Sequence, residues 1–179
     1  MSDTAILSRK VNVAELPPGP VEITAGERER AALAAAYDLI AVTSLKATVT
    51  TVPAAGGGVV AEGHVTADIV QTCVVTLVPV EEHIDETFTV TFVRDPSRVP
   101  PPGSEIVVEA GMPDPPELLE GPTLDVGALA EEYFALAINP YPRAPGATLP
   151  PELAGDDEPA KDSPFAVLAG LAKDPGRKR

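Results

Sequence analysis

The chain has 179 residues, enough for one domain with tails or for two very small domains. Its 27 acidic and 13 basic residues leave a formal net charge of −14, which repels phosphate backbones and speaks against direct, groove-reading nucleic-acid binding. One cysteine excludes an internal disulfide and a cysteine-rich metal site, while 21 prolines, 14 glycines and few aromatics imply a modest core with much irregular chain.

In chain order, Ser8–Leu16 reads as a first strand, closed by a turn at Pro17-Pro18-Gly19-Pro20 and followed by a short piece at Val21–Thr24. Thr24-Ala25-Gly26-Glu27 has the T-x-x-E form of a capping box. Glu27 to about Asp38 is rich in Ala, Arg and Glu, which predicts a helix with Leu33 and Tyr37 on its buried side. From Leu45 the period changes to two, with Leu45, Ala47 and Val49 on one face. Pro53–Gly58 is a flexible hairpin loop. A long strand from Val59 then carries Val65, Ala67, Ile69, Cys73, Val75 and Leu77 on one parity, and Pro79 ends it. Gln71 interrupts that apolar face, so a bulge or a buried, hydrogen-bonded amide belongs there.

Thr87–Phe92 alternates strictly, with Phe88, Val90 and Phe92 inward. Ser104–Ala110 predicts a shorter strand, flanked by proline-rich loops at Asp95–Gly103 and Gly111–Pro122. Asp125 is placed to N-cap a second helix, Val126–Ile138. Val126, Leu129, Tyr133, Leu136 and Ala137 share its stripe, with Glu131 and Glu132 away from it. The fold class is therefore α+β: an antiparallel sheet of about five or six strands, open or curled toward a barrel, covered by two helices. Residues 1–146 form the single domain, 147–162 a disordered acidic linker, and 163–179 a short terminal helix with a basic tail.

After the second helix, Asn139-Pro140-Tyr141-Pro142-Arg143 predicts a stiff, extended arm, because each proline fixes its own φ and biases the residue before it. Such an arm loses little entropy on docking, either on its own domain or on a partner, and presents Tyr141 and Arg143. In the terminal segment Ser163 is an N-cap, Pro164 sits at the first helical position, and Phe165 and Leu168 make one apolar turn. Tyr141, Arg143, Ser163, Pro164, Phe165 and Leu168 are the candidate partner-binding residues.

Chemistry finds less support. Cys73 and His64 are nine residues apart in one expected strand, on opposite faces and roughly 30 Å apart at about 3.3 Å per residue. Cys73 reads as a buried small hydrophobe, and His83 as a loop residue after Pro79. No G-x-S-x-G elbow is present, and Gly56-Gly57-Gly58 lacks the Lys-Ser/Thr of a phosphate loop. Glu81-Glu82 and Asp156-Asp157-Glu158 read as solvated loop acids. No catalytic residue, metal site or cofactor is expected. No apolar run reaches the 18 residues of a membrane helix and no secretory segment follows Met1, so the expectation is a cytoplasmic protein with no membrane contact.

Three stretches carry a resemblance: Leu124 through Gly146, Gln71 through Val80, and Ser163-Pro164-Phe165-Ala166-Val167-Leu168. In this order they resemble the YceD family, in its alphaproteobacterial form, whose members are associated with accumulation of large-subunit ribosomal RNA. Many relatives carry Cys-x-x-Cys where this chain has Cys73-Val74-Val75-Thr76, so a zinc or redox role does not transfer. The resemblance implies a non-enzymatic ribosome-biogenesis factor. The acidic charge implies that it acts on a basic protein partner or an assembly intermediate, with direct RNA contact weak or absent. Two other readings stay open: a weak RNA-binding module using Thr66, Thr72, Thr87, Thr89 and Thr91, and a Cys73-dependent enzyme.

Overall fold

The computed structural model describes residues 5–100 and 114–148. Seven strands and two α-helices occur there: β1 (Lys10–Asn12), β2 (Val21–Thr24), α1 (Glu27–Ala36), β3 (Ala41–Ala54), β4 (Gly58–Thr72), β5 (Pro79–Val93), β6 (Glu117–Leu118), β7 (Thr123–Asp125) and α2 (Val126–Ala137). Five strands form one sheet in the order β2-β3-β4-β5-β6, and β1 pairs with β7 in a separate two-stranded sheet. The fold is α+β, as expected, but the main sheet stays open. It is also mixed, because β6 runs parallel to the end of β5 at Phe92 and Val93.

Alternation decides the two faces of the sheet. Leu45, Ala47, Val49, Val65, Ala67 and Ile69 are buried on the inner one, where α1 packs on β3 and α2 packs on β4 and β5. Phe134 of α2 is fully buried, a burial of about 3 kcal/mol for a ring of that size, and Tyr37 meets it edge-on at 5.8 Å. Gly63 is the reason Phe88 can lie flat across β4: a Cβ there would sit 2.1 Å from the Phe88 ring. Phe88 in turn stacks on Tyr133 of α2 at 4.2 Å.

Several expectations need correction. The Ser8–Leu16 strand shrinks to β1, because its partner β7 is only three residues long. Thr24 does not cap α1; it pairs with Lys46 in β2, and the cap falls on Gly26, whose amide donates to Glu29 at 2.7 Å. The long strand ends at Thr72 rather than Pro79. Register pairs Thr72 with Pro79, so residues 73–78 are the turn of the β4–β5 hairpin and Pro79 begins β5. His83, Glu81 and Glu82 are thereby strand residues, not loop residues. Gln71 takes the second of its two options, a buried amide, and the register shift lies across the sheet at Thr43 in β3. β6 occupies part of the expected Gly111–Pro122 loop, while the expected Ser104–Ala110 strand lies outside the described residues.

Asp125 does cap α2, accepting from the Ala128 amide at 3.1 Å and from the Arg9 amide at 2.7 Å. Burial pushes its carboxyl up, but hydrogen bonds from Ser8, Arg9, Ala128 and Gly127 outweigh that and hold it below the usual range. Glu131, expected on the outer side, is buried and accepts from the Leu7 amide at 2.9 Å and the Tyr37 hydroxyl at 3.2 Å. Leu136, expected in the stripe, is 72% exposed.

Candidate functional site

The arm after α2 begins where Ile138 leaves helical geometry and Asn139-Pro140 prevents another turn. Asn139 holds the next bend itself: its Oδ1 accepts from the Tyr141 amide at 3.0 Å. Its backbone carbonyl accepts from Gln71 Nε2 at 3.0 Å, a part-buried hydrogen bond that satisfies the amide nitrogen, while Gln71 Oε1 stays buried with no partner among the described residues. Next, the Val74 amide donates to the Pro142 carbonyl at 2.9 Å. The Ala144 amide then donates to Cys73 Sγ at 3.3 Å. Three successive ties thus fasten the arm to the end of β4 and to the turn that follows it. Pro142 is buried against the domain, and the extended alternation turns Tyr141 and Arg143 outward. The arm is docked, and its two candidate side chains face solvent.

The turn below the arm contributes apolar surface. Leu77 adopts a left-handed φ of 61°, a conformation costing an ordinary residue about 1–2 kcal/mol, and is pinned there by its amide on the Cys73 carbonyl. The Cys73 amide closes the turn on the Val78 carbonyl at 2.9 Å. Held this way, Leu77 is 75% exposed, Val74 and Val78 are nearly half exposed, and Tyr141 is 73% exposed. Ile40, also exposed, reaches the same end of the sheet: with Val74, Pro140 and Pro142 it lines a cleft of about 270 Å³. Sequence parity concealed these residues, since Val74–Val78 reads as continuous strand until the hairpin register is known.

Cys73 is fully buried, but it is more than a packing group. The Ala144 amide first, then the Thr76 groups, donate toward its sulfur and outweigh burial, bringing the thiol from 9.0 down to about 6. A depressed acid stabilises the fold fully above its unfolded value, and that stabilisation is lost as pH falls through the folded one. Wild-type protein is therefore expected to gain stability over Cys73→Ala between pH 6 and 9, read as diverging melting temperatures. Parallel melting curves across that window would remove the thiolate from the arm's anchorage.

Neither histidine serves Cys73. His64 Nε2 pairs with Asp85 at 2.8 Å, and His83 Nδ1 with Asp68 at 2.7 Å, both on the outer face of the sheet. Ser44 Oγ also donates to Asp68 at 2.6 Å, so the carboxylate lies between hydroxyl and imidazole. Activation of a serine needs the imidazole in the middle. Ser44 and then His83 draw the Asp68 carboxyl below its ordinary range. Thr66, Thr72, Thr87, Thr89 and Thr91 do align on this outer face, yet Glu22, Glu62, Asp68, Glu81 and Asp85 share it, with Lys46 as the one lysine or arginine on it among the described residues. A phosphate backbone meets predominantly carboxylates there.

Of the sequence-expected partner-binding residues, Tyr141 and Arg143 come together on the docked arm; Ser163, Pro164, Phe165 and Leu168 lie outside the described residues. Among the described residues no group of three His, Cys, Asp or Glu could hold a metal ion, and no helix is long and apolar enough to cross a membrane. The family model for the large ribosomal RNA subunit accumulation protein YceD matches residues 61–172. No curated protein and no solved structure matches the chain.

Proposed function

We propose, for a chain that belongs to the YceD family and so has a role in ribosome biogenesis, that it works by docking a basic protein or assembly intermediate rather than by catalysis. The observation that carries this reading is the arm. Pro142 and three ties hold it to the end of β4 and the turn that follows, while Tyr141 and Arg143 stand out near exposed Ile40, Val74, Leu77 and Val78. Tyrosine and arginine are the side chains most often dominant in binding, and a rigid backbone spares the ordering cost on association. Ile40 and Val74 share one cleft with Pro140 and Pro142, and exposed apolar surface of this kind marks interaction sites. The net charge of −14 favours a cationic partner over RNA. The terminal Phe165 and Leu168 belong to the same reading as a second contact.

Direct RNA binding by the outer sheet face is the second reading, favoured by its row of threonines and opposed by its carboxylates. A salt titration separates the two. Purified protein is expected to bind isolated large-subunit ribosomal proteins at physiological salt and naked large-subunit ribosomal RNA only at low salt. The double variant Tyr141→Ala/Arg143→Ala is expected to lose about tenfold in affinity or more, with stability within about 0.5 kcal/mol of wild type because both side chains are exposed. Binding of naked RNA that outlasts protein binding as salt rises would overturn the docking reading.

A further inference from the structure

The helix pair carries a second surface that has no partner among the described residues. Of the twelve residues of α2 only Glu131 and Glu132 carry charge, and a helix apolar on more than one side calls for more than one partner. One side packs on the sheet through Val126, Leu129, Ala130 and Phe134. The other lines a groove of about 730 Å³ with Ala36 at the end of α1, its C-cap Tyr37, and Ala5 and Ile6 of the N-terminal segment; α2 contributes Ala128, Glu132, Ala135 and Leu136. Alanines at Ala36, Ala128 and Ala135 leave room for a third helix at the close end of the usual 8–10 Å interaxial range. Leu136, 72% exposed, stands at the rim as an anchor without a partner among the described residues.

Charge decides the occupant. The groove is lined by the carboxylates of Glu131 and Glu132 and by no lysine or arginine. Glu131 is already committed to the Leu7 amide and Tyr37, whereas Glu132 is exposed. A second copy of this chain would set Glu132 against its own counterpart, a like-charge pairing that disfavours self-association. We infer that the α1–α2 groove receives an amphipathic helix of a basic partner, with apolar residues on the alanine floor and a lysine or arginine against Glu132. This rests on the basic-partner reading but on a different surface from the arm.

The test uses the full chain and two synthetic peptides of identical leucine and lysine composition, one with its leucines at helical spacing and one scrambled. The ordered peptide is expected to bind about tenfold tighter than the scrambled one and to shift the NMR signals of Ala128, Ala135 and Leu136. Leu136→Lys, at an exposed position that leaves the fold intact, is expected to abolish that difference, and Tyr141→Ala to leave it unchanged. Equal binding of the two peptides, shifts confined to another surface, or a groove-mediated dimer in sedimentation would each overturn the inference. Such a result would leave arm-dependent capture of ribosomal proteins standing, so the two failures are distinguishable.

Discussion

Gly127→Ala is expected to destabilise the domain by about 3 kcal/mol or more, although alanine is ordinarily the better helix former by about 1 kcal/mol. Gly127 lies in the first turn of α2, where the helix passes directly over the N-terminal segment. A Cβ there would sit 1.6 Å from the Leu7 carbonyl oxygen and 2.7 Å from the Arg9 amide nitrogen. Both obstacles are backbone, so no rotamer change relieves them. Either α2 lifts away, losing the hydrogen bond from the Val126 amide to the Arg9 carbonyl, or the segment leading to β1 shifts. A drop in melting temperature of roughly 10 °C would fit. An unchanged or raised value would mean that α2 is not seated on this segment.

The second large effect concerns two adjacent glutamates. Glu131→Ala removes the acceptor of the Leu7 amide, and Leu7 is fully buried, so that donor has no water to turn to. The expected cost is about 3 kcal/mol, combining an orphaned amide with the void left by the side chain. Glu131→Gln keeps an acceptor oxygen and should recover much of it. Glu132→Ala, one residue on and exposed, should fall within about 0.5 kcal/mol of wild type. Equal effects at the two positions would contradict the buried assignment of Glu131.

These same glutamates show where the sequence is legible and where it is not. Local rules worked where the determinants were local: the alternation of Leu45, Ala47 and Val49, the Asp125 cap, and the stop at Asn139-Pro140 all stand in the structure. Helical period assigned Glu131 to the outside, because its reason for burial is the amide of Leu7, 124 residues away. Thr24 offered a capping box of correct form, but pairing with Lys46 extended β2 through it and moved the cap to Gly26. Val74–Val78 is illegible for a related cause. Its composition suits a strand, and only the pairing of Thr72 with Pro79 makes it a hairpin turn. At the candidate site, proline spacing exposed the arm with Tyr141 and Arg143. The apolar surface around them follows from that turn and from Ile40, neither of which periodicity can place.

The docking role is tested most directly in cells that lack the chromosomal copy and express either wild type or Tyr141→Ala/Arg143→Ala at matched protein levels. Large-subunit ribosomal RNA is measured relative to small-subunit RNA. The double variant, folded because both side chains are exposed, is predicted to fall to the level of cells carrying no copy. Large-subunit RNA restored to the wild-type level by that variant would contradict docking through the arm.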